Sequence, residues 1–197
     1  GESEAMDLSL TSLHDYVEGI AALDGQLQRP PVLVGWSMGG TVALLAASMG
    51  IGAACVALDP NRPVRQADTS TELRHEEFDP AEWGVTADAS QAHPLMPDLD
   101  SGERAIVARS LCRESRMALD EQNMRRVVVH SMPCPTLIVN GTVGYGPDRE
   151  SYEDLWFSVN RLTVEGASHW GLVLNRRTLP GAIKSILGWL ERYVGSG

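Results

Sequence analysis

Apolar residues recur at helical spacing at Leu13, Val17, Ile20, Leu23 and Leu27. Ser12 and Asp15 stand where a capping pair would open that helix, and Arg29-Pro30-Pro31 is expected to stop it. Val32-Leu33-Val34 is a short apolar run of the buried-strand type. After a glycine-rich turn over 35–40, residues 41–49 are small and apolar on every side, which predicts a buried helix capped by Gly50. Residues 54–58 (ACVAL) read as a second buried strand, ended by Asp59-Pro60. Thr136-Leu137-Ile138-Val139 is a third, and the alternating run 161–165 a fourth, nearer a sheet edge. A helix-like stretch over 152–156 lies between these two. Ile183, Ile186, Leu187, Leu190 and Val194 mark the inner stripe of a C-terminal helix. Strands alternating with helices predict an α/β protein: a parallel sheet with flanking helices. Residues 61 to about 131 are more charged, with helical patterns around Ile106, Val107, Leu111 and Met117–Met124. That stretch is too long for an ordinary connection and reads as a helical insertion.

Composition narrows the partners. Against 26 Asp and Glu stand 16 Lys and Arg, a formal charge of −10. Nucleic acid and anionic membranes need a basic face, so neither is an expected partner. No apolar run reaches the length of a membrane helix. Cys55, Cys112 and Cys134 are odd in number and widely spaced, as for free thiols in a reducing cytoplasm. No His, Cys and Asp spacing suggests a metal site, and no cofactor is expected.

Gly35-Trp36-Ser37-Met38-Gly39 matches G-x-S-x-G between a predicted strand and a predicted helix, the setting that motif requires. The turn lifts the Ser37 hydroxyl above the sheet, and a Cβ two residues before or after the serine is expected to strike backbone. The Met38 N–H, at a helix N-terminus, points to where an oxyanion would form. The competing reading is a glycine-rich turn with an incidental serine. Of five histidines, His169 stands in a loop of small residues after the last strand, at the same rim as Ser37. His14 and His130 read as structural or solvated. His75 and His93 fall in the insertion. Trp36 and Trp170 flank the two candidates and are expected to wall a substrate pocket. Phe78, Trp83, Leu95, Met96 and Met117 are candidates to line it from the insertion, each weighed against a plain core role.

Three segments together resemble the α/β-hydrolase superfamily: residues 35–40 (GWSMGG), 134–141 (CPTLIVNG) and 166–169 (GASH), in the family's order. The resemblance spans residues 1–61 and 131–197. It implies a core of 1–61 and 132–197 with a helical cap over 62–131, a Ser37 nucleophile, a His169 base and a carboxylate to orient it. The family's usual acid position, three residues after Gly141, is held by Gly144. Asp59, Asp148 or no acid at all remain open, with a strand-end turn as the alternative role of Asp59.

Only 31 residues precede Val32, and one helix uses most of them. A βαβ unit takes about 30 residues, so strands that family members carry before the elbow do not fit. The expected consequences are an elbow strand at a sheet edge, open to a second copy or a complementing chain, and loss of one oxyanion donor, costing about 3–4 kcal/mol in barrier. The leading expectation is a cytoplasmic serine hydrolase acting on a small ester or thioester acyl substrate. A non-catalytic binding module or truncated remnant is the alternative. Haloperoxidase, C–C hydrolase and acyltransferase chemistry also run on such an elbow.

Overall fold

A computed structural model describes residues 7–79, 82, 93–144 and 152–195. Its main sheet has four parallel strands, β1 (Val32–Trp36), β2 (Ala54–Leu58), β5 (Thr136–Gly141) and β6 (Asn160–Val164), in the order β1-β2-β5-β6. All five residues of β2 are buried. Its side chains alternate between two cores, as a period of two demands. Cys55 and Ala57 face helices α1 (Leu13–Asp24) and α2 (Met38–Ser48). Ala54, Val56 and Leu58 face the short α5 (Gly171–Leu174) and the C-terminal α6 (Leu179–Tyr193). Helix α2 is buried from Gly40 to Ala47, which explains its all-apolar composition. Among the described residues no helix is long and apolar enough to cross a membrane.

Several expectations need correction. Helix α1 carries the Ser12–Asp15 capping box but ends at Asp24, ahead of the prolines; only Leu13 and Val17 are buried in it, and Leu23 and Leu27 lie exposed. Residues 152–156 form turns rather than a helix. Strand β1 stands at the end of the sheet among the described residues, the edge position expected for the elbow strand; it is Val34, 62% exposed, that departs from the buried-strand pattern. On α6 the buried residues are Ala182 and Trp189. Ile183 and Leu187 are exposed and line an open apolar groove with Val34. The pattern marks a sticky stripe, but β1 has no strand on its outer side among the described residues to cover it.

The segment between β2 and β5 leaves and rejoins the core side by side. Val64 and Val128 form a parallel bridge, with the Val64 N–H donating to the Val127 carbonyl at 2.8 Å. It holds α3 (Ser101–Ser110) and α4 (Arg116–Asn123), as its helical periodicity predicts. It also holds an antiparallel pair that the sequence pattern does not reveal, β3 (Glu77–Phe78) with β4 (Glu114–Ser115). Asp120, buried on α4, ties the segment together. Its carboxylate accepts from Arg74 Nη2 at 2.6 Å, Nε at 2.9 Å and the Arg74 backbone N–H at 3.2 Å. The Arg74 hydrogen bonds hold the Asp120 carboxyl below its ordinary pKa against the opposing effect of burial.

Two outcomes follow from this packing. Asp120→Asn is expected to cost about 1–2 kcal/mol at pH 6, discounted because Arg74 is half exposed. Because the folded-state pKa is lowered, that stability is present above the unfolded carboxyl pKa of about 3.9 and is lost as pH falls through the folded value. Urea titrations should therefore show wild type and variant converging below about pH 4. Gly35→Ala is expected to lose at least about 3 kcal/mol, because a Cβ there would stand 2.0 Å from the Gly39 carbonyl oxygen and backbone cannot yield as a side chain does. A variant melting with wild type would refute that.

Candidate active site

The turn between β1 and α2 carries Ser37 at φ 56° and ψ −125°. A non-glycine residue with positive φ is strained and persists only where its surroundings over-determine it. Here the Ser37 N–H donates to the Leu58 carbonyl at 2.9 Å, extending the β1–β2 ladder one rung beyond the strand. The close approach falls on Gly35 and Gly40. Gly39, expected to be crowded, has open space, because its missing Cβ points away from the packed backbone. Met38 opens α2, so its N–H is one of the helix's unpaired first-turn donors, with the positive end of the helix dipole behind it.

Asp59 follows β2 at φ 48°, and its N–H donates to the Val139 carbonyl at 2.8 Å, the next rung of the β2–β5 ladder. Its side chain faces the loop after β6. Asp59 Oδ2 stands 2.5 Å from His169 Nδ1, and His169 Nε2 stands 2.9 Å from Ser37 Oγ. Asn140 Nδ2 donates to the second carboxylate oxygen at 3.1 Å. An Asp accepting at Nδ1 fixes the tautomer that leaves Nε2 free to accept the serine proton. Asp148 lies outside the described residues. Gly144 has a structural reason for lacking a side chain: φ is +80°, and a Cβ would stand 2.2 Å from the Pro94 carbonyl oxygen of the inserted segment.

The indole of Trp36 donates from Nε1 to the His169 carbonyl at 2.9 Å, and its ring lies 4.8 Å from the imidazole and 4.4 Å from Trp170. Sequence reasoning places Trp36 in a pocket wall; the hold on the His169 backbone is additional. The Trp170 N–H donates to the Leu95 carbonyl at 3.0 Å, so the histidine loop also leans on the inserted segment.

Ser37, His169, Trp36, Met38 and Trp170 open on one cleft of about 300 Å³. Of the expected lining residues, Phe78 and Leu95 face it. Met96 packs instead with Leu99 and Val107, Met117 does not reach the cleft, and Trp83 lies outside the described residues. Glu114, Leu119 and Gln122 line it unannounced. Glu114 stands on β4, which the sequence pattern does not reveal; for Leu119 and Gln122 the signal is helical periodicity, which marks α4 but not the neighbour its inner face meets. His14, His75 and His130 are exposed and away from the site.

The profile of the Alpha/beta hydrolase family matches residues 1–178. No curated protein sequence matches significantly. Among solved structures, a monoacylglycerol lipase of Paleococcus ferrophilus is similar with a TM-score of 0.59 at 20% identity, over 93% of this chain and 76% of that one. A methylesterase from Arabidopsis gives 0.58 at 15%, over 96% and 84%. An epoxide hydrolase gives 0.60 at 14%, over 98% and 78%. At such identities the likeness is one of fold, and these three enzymes differ in chemistry. With the family profile matching most of the chain, and the sheet order and elbow in agreement, the chain belongs to the Alpha/beta hydrolase family.

Proposed function

We propose that the chain is a serine hydrolase cleaving a small ester or thioester through an acyl-enzyme on Ser37. The observation that carries this is the continuous line from Asp59 through His169 to Ser37, at 2.5 and 2.9 Å. Ser37 Oγ attacks the acyl carbon as its proton passes to His169 Nε2. The carbonyl oxygen becomes an oxyanion, held by the Met38 N–H. Collapse breaks the bond to the alcohol or thiol, which leaves with the proton from Nε2. Water, deprotonated in turn by His169, then attacks the acyl-enzyme and releases the acid. Asp59 keeps the imidazole in the accepting tautomer and stabilises the imidazolium. Trp36 holds the His169 backbone in place, and Trp170 walls the acyl site. Residues 62–131 serve as a cap, supplying Phe78, Leu95 and Leu119 to the cleft.

A fluorophosphonate probe is expected to label the native chain and not Ser37→Ala; unchanged labelling of that variant would sink the reading. Asp59→Asn is expected to lower kcat on the order of 10³–10⁴-fold, because it favours the wrong histidine tautomer. Full activity in that variant would move the acid to Asp148 or elsewhere.

A further inference from the structure

Gln122 is 7% exposed, yet it lines the same cleft as Ser37 and His169. One end of its amide is fixed. The Thr41 hydroxyl shares its proton between Gln122 Oε1 at 3.3 Å and the Ser37 carbonyl at 3.4 Å, and the Asn61 N–H donates to Thr41 Oγ1 at 3.0 Å. Thr41 is itself fully buried. The other end, Nε2, makes no hydrogen bond among the described residues. Nε2 therefore opens on the cleft as a donor held in place by a largely buried side chain, placed to meet an acceptor that a ligand supplies. Phe78, Leu95, Leu119 and Trp170 give the cleft its apolar surface.

We propose that Gln122 is a specificity residue whose Nε2 donates to an oxygen on the acyl chain of the substrate. That oxygen is distinct from the reacting carbonyl. The reacting oxygen belongs at the Met38 N–H, whereas Gln122 is anchored to Thr41, three residues and about 5 Å further along α2. The acceptor is neutral. Glu114 brings a carboxylate to the cleft, engaged by the Tyr16 hydroxyl at 3.0 Å, and no Lys or Arg lines the cleft among the described residues. A carboxylate on the acyl chain would meet repulsion there without a countercharge. The substrate class is therefore an ester or thioester of an otherwise apolar acid bearing a neutral oxygen acceptor on its chain, of which an internal keto group is the simplest probe.

The inference deepens the hydrolase reading, and its test separates the two. Binding of methyl hexanoate and of methyl 3-, 4- and 5-oxohexanoate to Ser37→Ala would be measured by calorimetry. Turnover of the same esters by the native chain would be followed by titrating the acid released. At least one oxo ester is expected to bind, and to be turned over with a kcat/KM, about tenfold better than the hexanoate. That ratio should fall towards one in Gln122→Leu, on the Ser37→Ala background for binding, with urea melts checking that the variant folds. Monomethyl adipate, which carries a carboxylate, should be the poorest of the set. Equal handling of the hexanoate and every oxo ester, or a preference that survives Gln122→Leu, would overturn the role of Gln122 and leave the hydrolase intact. Selective binding lost in Gln122→Leu, with no turnover of any ester, would uphold the role and overturn the hydrolase.

Discussion

The parallel register of three adjacent strands is the constraint on which the site depends. Trp36 pairs with Leu58 and Leu58 with Val139, so the ends of β1, β2 and β5 lie side by side. The ladder does not stop at the strand ends. It takes in the N–H groups of Ser37 and Asp59 as its next rungs. Two residues 22 positions apart in sequence are thereby held on neighbouring turns at one rim, both at positive φ. The strain at each is held by backbone hydrogen bonds to a buried neighbour, which local sequence alone does not supply.

His169 reaches the same rim by a different route. His169 sits in a loop after β6, an edge strand away from Ser37. Its position is set by contacts from several directions: the Asp59 carboxylate, the Trp36 indole on its carbonyl, and Leu95 through the neighbouring Trp170 N–H. The inserted segment thus belongs to the geometry of the site as well as to its roof. The same packing explains Gly144, whose place beside the Pro94 carbonyl leaves no room for a side chain. Among the described residues, the Asp59 carboxylate after β2 stands at His169 Nδ1.

The open edge has the same origin. Strand β1 pairs on one side only among the described residues, and Val34, Ile183 and Leu187 share an apolar groove along it. Helical and strand periodicity mark these residues as core, and by composition they are. Val34 is exposed because its strand lies at the end of the sheet, and Ile183 and Leu187 of α6 line the same open groove beside it, a placement that periodicity does not encode.

The alternation of apolar runs with helical stripes was enough to read the parallel α/β sheet, the four strands and the α1 capping box, because each is a local consequence of side-chain spacing and backbone propensity. The G-x-S-x-G turn and the small-residue loop at His169 were legible for the same reason: tight turns leave a mark in glycine and small residues. The contact of Asp59 with His169 was not, since an Asp-Pro at a strand end looks alike whether it caps a turn or meets a histidine. Nor were the hold of Trp36 on the His169 carbonyl, or the presence of Glu114 and Gln122 in the cleft. Those depend on which faces of distant elements meet, and contacts such as Thr41 with Gln122 or Trp36 with His169, 81 and 133 residues apart, leave no spacing to read. Tertiary packing alone decided them, by bringing the strand ends into register and laying α4 against the first turns of α2.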